Sequence, residues 1–364
     1  MCDADFLEKA IELARRGEGH TRPNPPVGAV IVRGGKIIGE GWHRRAGGDH
    51  AEVAAIKSAR RRLNLSASQP LNSSTLYVTL EPCSKPGRVG ACTDAIVAAG
   101  LKRVVFGSAD PNPVNRGRAK RVLAKHGIAC ERYRPSQPSQ PSQPSQPSQL
   151  LDALNRLVAP FAKHVTTGLP YVTVKIAMSL DGKICDDYGN ARWISSAASR
   201  KVTGKMREWA DAIMVGAETV RKDNPSLLSH GKRNDDLMRV VVTRTGRLPK
   251  NARIFTDGAP NKTLVFKVVE AASRRINKDG SLSARSGGTP LPQCKDLADV
   301  LRQLAKMGVM HVLCEGGLKL ARSLADAGLV DEWITVLAPK VVGSRRIGRA
   351  VPVPRVFVMP DGGM

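Results

Sequence analysis

Apolar residues along the first 134 residues recur at spacings that change between helical and extended periodicity. Near the amino terminus, apolar pairs at helical spacing predict an amphipathic helix; the pairs are Phe6-Leu7, Ala10-Ile11 and Leu13-Ala14. Two apolar runs, 27–32 and 36–41, flank Gly34-Gly35 and predict a β-hairpin. The same criteria predict helices over 51–62, 92–99 and 118–126, and strands over 75–80 and 103–106. Alternating strands and helices predict an α/β fold around one sheet.

The second half of the chain repeats this alternation. Strands are predicted over 171–177, 212–215, 239–242, 263–268, 311–314 and 333–337. Helices are predicted over 199–209, 297–306 and 318–325. A polar segment rich in glycine and serine, 271–290, is expected to be a surface loop.

Residues 135–149 consist of five copies of the tripeptide Pro-Ser-Gln. A segment of this composition cannot bury a core and favours extended, polyproline-like conformations, so it is expected to be a linker. The sequence therefore predicts a first domain over 1–134, a linker over 135–149 and a second domain over 150–364.

The charge of the chain is strongly basic, since 57 Lys and Arg face 32 Asp and Glu among 364 residues. Nucleic-acid binding is one explanation, and anionic phosphate substrates for an enzyme are another. Aromatic residues make up only 4%, which leaves few surfaces for base stacking and disfavours the first explanation. No apolar run is long enough to span a membrane, and the start lacks the pattern of a signal peptide. Seven cysteines without a regular framework favour a reducing cytoplasm.

The candidate chemistry centres on His50-Ala51-Glu52, followed by Pro82-Cys83 and Cys92. One histidine and two cysteines can bind zinc while leaving a fourth position open for water, as a catalytic zinc requires. Glu52 is then free to transfer protons, which is the arrangement of zinc deaminases. His50 is expected to begin one helix and Pro82-Cys83 another, whose positive end would favour a thiolate. The alternative is a satisfied polar histidine with two buried packing cysteines.

These motifs resemble the cytidine deaminase-like superfamily, through the HAE segment, TLEPCS and a second cysteine nine residues after the first. The long loop between the cysteines contains Gly87-Arg88. With 23–25 (PNP) upstream and 110–113 (DPNP) downstream, it resembles the bifunctional deaminase/reductase family of riboflavin biosynthesis. The second half adds 175–182 (KIAMSLDG) and 315–317 (EGG), which resemble the reductase of that family.

The resemblance implies a three-layer α/β/α deaminase domain and a dihydrofolate reductase-like α/β domain. It implies hydrolytic deamination of a diaminopyrimidinone carrying ribosyl phosphate, followed by NADPH-dependent reduction of the ribosyl to a ribityl chain. It assigns zinc to His50, Cys83 and Cys92, and proton transfer to Glu52. The deaminase substrate would contact Asn24, His43, Arg88 and Asn112, with Arg88 nearest the phosphate. NADPH would contact Ala177, Trp193, Thr219, Asp223 and Gly317. The reductase substrate would contact Arg207, Leu227, His230 and Glu315.

The sequence also departs from the family pattern. In the cysteine loop, Lys85 replaces a histidine and 89–91 replace Thr-Pro-Pro. In the second half, Ala191 replaces a serine, His230 an arginine and Thr243-Arg244 an Asp-Ser pair, and closing strands are not evident after Ser344. An active deaminase with an impaired reductase is therefore one alternative, and a nucleic-acid-binding protein on a deaminase-like scaffold is another. A homo-oligomer is compatible with the sequence.

Overall fold

The computed structural model describes residues 2–85, 90–135, 146–188, 194–229, 237–269, 291–343 and 351–352. The chain forms two compact units. Unit 1 comprises 1–171 with 304–310, and unit 2 comprises 172–303 with 311–364. In the part of the chain that is described, no helix has the length and apolar character needed to cross a membrane.

Unit 1 contains a five-stranded mixed sheet. Its strands are β1 (Gly28–Arg33), β2 (Lys36–Trp42), β3 (Ser74–Leu80), β4 (Arg103–Ser108) and β5 (Ala129–Arg132). Its helices are α1 (Asp3–Arg15), α2 (Ala51–Arg62), α3 (Cys92–Ala98), α4 (Arg118–Ala124) and α5 (Gln146–Thr167). The strand order is β2-β1-β3-β4-β5, with β1 antiparallel to both neighbours and β3, β4 and β5 mutually parallel. The predicted hairpin turn is present, and Gly34 and Gly35 both have positive φ, as a tight two-residue turn requires.

Helices cover both faces of this sheet because successive strand residues point to opposite sides. Ala29 and Ile31 of β1 pack with helices α2, α3 and α4 in one buried cluster. Val30 and Val32 of the same strand pack with α1 and α5 in a second cluster. Unit 1 is therefore a three-layer α/β/α sandwich, as the resemblance implies.

Helix α5 begins within the segment that the sequence analysis treats as linker and extends through the start of the predicted second domain. Its apolar face includes Leu150, Leu154, Leu157 and Val158, all buried in the cluster that also contains α1. Leu154 packs closely on Gly107 of β4, where a Cβ atom would lie within 2.4 Å of the leucine side chain. This burial places 150–171 in unit 1 rather than in the second domain. Residues 136–145 of the repeat lie outside the described residues.

Unit 2 contains a seven-stranded sheet. Its strands are β6 (Tyr171–Ser179), β7 (Ala212–Gly216), β8 (Met238–Thr243), β9 (Thr263–Val268), β10 (Gln293–Cys294), β11 (His311–Cys314) and β12 (Glu332–Ala338). Its helices are α6 (Ala197–Trp209), α7 (Ala217–Asp223), α8 (Arg253–Thr256), α9 (Leu297–Lys306) and α10 (Leu318–Asp326). The strand order is β10-β9-β8-β7-β11-β6-β12. Each pair with a described register is parallel, so the carboxyl ends of β7, β8, β9 and β11 meet at one edge.

The predicted secondary structure agrees with the observed elements where apolar periodicity is strong. The predicted bounds of α2, β9, α9 and β11 are those observed. Helix α5 was not predicted, and neither were the short elements β5, β10, α7 and α8. The short elements were missed because runs of two to seven residues carry little periodicity. The loop expected over 271–290 lies outside the described residues. A short two-stranded pair, β13 (Lys340–Val341) with β14 (Val351–Pro352), follows β12.

Candidate functional site

Three candidate metal ligands converge in unit 1. The ligand atoms of His50, Cys83 and Cys92 lie within 4.8 Å of one another. His50 Nδ1 is 3.1 Å from Cys92 Sγ and 3.6 Å from Cys83 Sγ. Tetrahedral zinc with bonds of about 2.3 Å to sulfur and about 2.1 Å to nitrogen separates such ligands by about 3.6 Å. The donor set and its spacing therefore fit zinc with three protein ligands.

Two helix starts and one loop position these ligands. His50 is the residue before α2 and has extended backbone, with φ −70° and ψ 161°. Cys92 is the first residue of α3. The prediction that Pro82-Cys83 begins a helix is wrong, because residues 81–84 after β3 are not helical and the helix starts nine residues after Cys83. Cys83 instead accepts a hydrogen bond from the backbone N–H of Cys92 at 3.3 Å, which favours a thiolate by local contact.

The electrostatics of the cluster are mutually dependent. The interaction with the Cys92 side chain lowers the pKa of the Cys83 thiol, although burial opposes it. The same interaction between the two thiols, together with burial, raises the pKa of Cys92. The hydrogen bond with Cys83 raises the pKa of His50. A cation placed among these groups would favour both thiolates and neutral imidazole, which are the forms that bind zinc.

Glu52 lies in the first turn of α2 and is only 4% exposed. Burial raises the pKa of its carboxyl, with Cys83 adding to the rise and His50 opposing it. The carboxyl lines the pocket into which His50 and Cys83 also open. A buried carboxyl with a raised pKa, beside a candidate metal site, can accept and return a proton.

His43 and Asn24, predicted to bind substrate, line the same pocket and contact each other. Asn24 Nδ2 lies 3.1 Å from His43 Nε2, and His43 Nδ1 lies 3.0 Å from the carbonyl oxygen of Asp49. Burial lowers the pKa of His43, so its ring is neutral. A neutral ring donates through Nδ1 to Asp49 and accepts at Nε2 from Asn24. His43 therefore orients both Asn24 and the residue that precedes His50.

The other predicted deaminase contacts have different outcomes. Arg88 lies outside the described residues, as do 86–89 of the cysteine loop. Asn112 Oδ1 accepts a hydrogen bond from the backbone N–H of Val114, and Asn112 is not among the residues that line the pocket. From the same loop, Asp110 and Asn115 line the pocket instead.

Two further residues of this region were not predicted. Phe161 of α5 lines the pocket, although the sequence analysis places it in the second domain. Glu81 is 3% exposed, and its carboxylate accepts hydrogen bonds from the backbone N–H groups of Asp110, Gly117 and Ala119. The only sequence signal for Glu81 is an acidic residue at the end of an otherwise apolar strand.

In unit 2, two predicted substrate residues form a half-buried ion pair. Arg207 of α6 binds Glu315, which follows β11, through Nε–Oε1 at 2.7 Å and Nη2–Oε2 at 2.9 Å. Arg207 also donates to the carbonyl oxygen of Leu228 at 3.1 Å. Lys175 of β6 lies near this pair, and burial lowers the pKa of its amine while Glu315 opposes the change. Lys175 was not singled out in the sequence, although it begins the KIAMSLDG segment.

Two helix starts also meet at the carboxyl edge of the parallel sheet in unit 2. Gly216 precedes α7, and Gly316-Gly317 precede α10. The strands that end there, β7 and β11, are hydrogen-bonded neighbours, and a Cβ atom on Gly316 would lie 3.5 Å from the backbone nitrogen of Gly216. Such an edge is where α/β sheets bind ligands, and helix starts favour phosphate groups.

Both halves of the chain match known family models. Residues 1–108 match the cytidine and deoxycytidylate deaminase zinc-binding region, and 170–353 match the RibD C-terminal domain.

The chain belongs to the RibD family.

Curated members of the RibD family align with nearly the whole chain. The riboflavin biosynthesis protein RibD of Aquifex aeolicus is 33% identical over 94% of this chain and 88% of its own length. RibD of Bacillus amyloliquefaciens is 36% identical over 93% and 85%. The solved structure of Acinetobacter baumannii RibD, form 1, has a TM-score of 0.73 at 32% identity and covers 100% of this chain and 92% of that one. The deaminase/reductase of Thermotoga maritima has a TM-score of 0.74 at 32% identity, with 98% and 93% covered.

As a member of this family, the chain is a bifunctional enzyme of riboflavin biosynthesis, with a zinc-dependent deaminase and an NADPH-dependent reductase. The zinc fits the donor set of His50, Cys83 and Cys92. NADPH fits the edge of unit 2, where two glycine-bounded helix starts can receive its phosphates.

Of the five predicted NADPH contacts, two lie at the helix starts of this edge, two lie elsewhere in unit 2 and one lies outside the described residues. Thr219 lies in the first turn of α7, and Gly317 immediately precedes α10. Ala177 lies on β6, in register with Val336 of β12. Asp223 ends α7 and is exposed. Trp193 lies outside the described residues.

The remaining predicted substrate contacts of the reductase, and the positions that depart from the family pattern, also have different outcomes. Leu227 is 3% exposed, and its side chain packs in the hydrophobic core of unit 2, so only its backbone can face a ligand. Its φ of +57° is uncommon for leucine and turns the chain just before Leu228, whose carbonyl oxygen binds Arg207. Ala191 and His230 lie outside the described residues. Thr243 is buried at the end of β8 and accepts a hydrogen bond from Gly246 through Oγ1.

Proposed function

We propose that unit 1 deaminates a diaminopyrimidinone that carries ribosyl phosphate, and that unit 2 then reduces the ribosyl group with NADPH. The observation that carries the first step is the cluster of His50, Cys83 and Cys92, of which His50 and Cys83 line one pocket together with buried Glu52. In this reaction water adds to the ring carbon that bears an amino group, and ammonia leaves.

Zinc, when bound, supplies the Lewis acidity that brings the pKa of a water molecule near neutrality. Glu52 takes up the proton lost by that water at its carboxylate and delivers it to the departing amino group. Burial supports this role, because it raises the pKa of the carboxyl and so favours the protonated form that can deliver a proton. Neutral His43 holds Asn24 toward the pocket and fixes the carbonyl before His50.

In unit 2, NADPH supplies the hydride for the ribosyl carbon, and the chain supplies position and charge. Arg207 holds the Glu315 carboxylate through two hydrogen bonds, so the carboxylate has a fixed orientation beside Lys175. We assign substrate contact to this Arg207–Glu315 pair, and phosphate contact of the cofactor to the helix starts after Gly216 and Gly316.

The decisive experiment supplies the diaminopyrimidinone ribosyl phosphate with and without NADPH and identifies the products by mass spectrometry. The proposal expects the deaminated ribosyl product without NADPH and the deaminated ribityl product with NADPH. Accumulation of the deaminated ribosyl compound despite NADPH would instead favour the active deaminase with an impaired reductase. Unchanged substrate under both conditions would contradict the proposed function.

A further inference from the structure

A buried carboxylate fixes the loop that follows β4 against the deaminase site. Glu81 Oε2 accepts hydrogen bonds from the backbone N–H of Asp110 at 3.2 Å and of Gly117 at 3.1 Å. Its Oε1 accepts from Ala119 N–H at 3.3 Å. Because Glu81 lies two residues before Cys83, the loop over 110–119 is fastened next to the candidate metal ligands. The side chains of this loop therefore have a defined position relative to the pocket.

Within this fastened loop, Asn115 is a pocket-lining residue with an unsatisfied acceptor. Burial raises the pKa of the Asp110 carboxyl, and the side-chain amide of Asn115 opposes this rise. The Nδ2 group of Asn115 is therefore turned toward Asp110. Asn115 lines the pocket together with His50, Glu52 and Cys83. Its Oδ1 is buried and has no hydrogen-bond partner among the residues that the structure describes.

The neighbouring Asn112 is arranged differently. Its Oδ1 accepts from the backbone N–H of Val114 at 3.0 Å, and its own backbone N–H donates to Asp110 Oδ1 at 2.8 Å. The acceptor of Asn112 is thus used within the loop, whereas that of Asn115 is not. A buried acceptor without a partner is costly, and a ligand that supplies a donor removes that cost.

We propose that Asn115 Oδ1 accepts a hydrogen bond from an amino or ring N–H group of the pyrimidine and thereby selects an amino-substituted ring. This deepens, and rests on, the deaminase function proposed above. The assignment follows from the orientation of the amide, since Nδ2 is turned toward Asp110 and Oδ1 is the buried atom that lacks a partner among the described residues. A dianionic phosphate or a ring carbonyl offers acceptors only, so neither can satisfy Oδ1. Asn115 is therefore a specificity-determining contact to the ring.

The test compares Asn115→Ala and Asn115→Leu with Val114→Ala in the full-length zinc-loaded enzyme. The leucine variant keeps the side-chain volume, and Val114 is a half-exposed neighbour that does not line the pocket. Both Asn115 variants should raise the KM of deamination by about three- to tenfold, as the loss of one hydrogen bond predicts, with kcat changed less than twofold. Val114→Ala should leave KM unchanged. Zinc content and thermal unfolding, measured on each variant, should match the wild-type enzyme.

Inhibition by inorganic phosphate locates the contact. If Asn115 binds the ring, phosphate should inhibit the wild-type enzyme and the Asn115 variants equally. An unchanged KM in both variants would overturn the proposal, as would phosphate inhibition that weakens in parallel with KM. Loss of zinc or of folding in the leucine variant would overturn it too, because Asn115 would then be structural. Failure of the proposed function itself is distinguishable, since the wild-type enzyme would then not deaminate the substrate.

Discussion

The candidate site of unit 1 is made of side chains, whereas that of unit 2 is made largely of strand and helix ends. In unit 1, His50, Glu52 and Cys83 line one pocket, and the role proposed for each depends on its own functional group. In unit 2, glycines open two helices at the edge of a parallel sheet, and one ion pair, Arg207–Glu315, supplies the charge. The two halves therefore differ in how strongly a single substitution can affect them.

The difference follows from the chemistry that each unit performs. Deamination needs a metal and a proton carrier within the protein, so the loss of one side chain removes a reacting group. In reduction the cofactor carries the hydride, so the protein contributes binding and orientation over many atoms. We therefore expect losses that are all-or-none in unit 1 and graded in unit 2.

The largest effect is expected from Cys83→Ser, which removes one of three zinc ligands. Zinc content and deamination should both fall to background, while reduction of the deaminated substrate stays within about twofold of wild type, because the second reaction uses no group of the cluster. Metal analysis and the two separate assays check this result. Cys2→Ser, at an exposed cysteine, is the control. Full zinc content in the Cys83 variant would contradict the ligand assignment.

Glu52→Gln should keep zinc but slow deamination by about 10²–10⁴-fold, the usual contribution of general acid–base catalysis. The amide is similar in shape to the carboxyl but cannot carry the proton. Zinc content and deaminase kcat are the measurements, and Glu8→Gln on an exposed position of α1 is the control. If the zinc content of the variant falls with its activity, Glu52 acts on the metal site rather than on the proton.

Within unit 2, Arg207→Met is expected to cause the largest loss of reductase activity. It leaves the Glu315 carboxylate, only 10% exposed, without its guanidinium partner, and such truncations cost about 2–5 kcal/mol. The kcat/KM of reduction should fall at least about 30-fold with deamination unchanged. Arg322→Met, which removes a salt bridge of an 83% exposed arginine, should change neither reaction. A reductase unaffected by Arg207→Met would remove the pair from the site.

A smaller effect is expected from His230→Arg, which restores the arginine that the family resemblance places near the reductase substrate phosphate. A charge-assisted hydrogen bond contributes roughly 1.5–3 kcal/mol. The KM of reduction should therefore fall about ten- to a hundredfold, with kcat little changed, in steady-state assays at fixed NADPH. An equal or higher KM in this variant would show that this position does not meet the phosphate.

The comparison also explains what could be predicted from the sequence. The candidate ligands His50, Cys83 and Cys92 could be predicted because zinc requires particular side chains, and these stand in recognisable motifs. Long periodic segments such as α2 and α9 could be predicted with clear bounds. The roles of Glu81 and Asn115 could not be predicted, because they depend on the packing of a loop that lies about 30 residues after the ligand motif in the sequence. Leu227 was predicted to contact the substrate, but its side chain lies in the hydrophobic core.

The smallest effect is expected from Phe161→Ala, and it tests where the deaminase ends. Phe161 lies on α5, after the Pro-Ser-Gln repeat, yet it lines the pocket beside His43 and Glu52. An aromatic contact contributes about 0.5–1.5 kcal/mol beyond its buried area, so the KM of deamination should rise about three- to tenfold. Phe161→Tyr, which keeps the ring, should restore KM, and reduction in the same preparation serves as an internal reference. If Phe161→Ala deaminates with wild-type KM, α5 only supports the sheet through residues such as Leu154. If KM rises and the tyrosine variant restores it, the functional deaminase extends through α5, and the side-chain site of unit 1 includes a wall supplied from beyond the predicted linker.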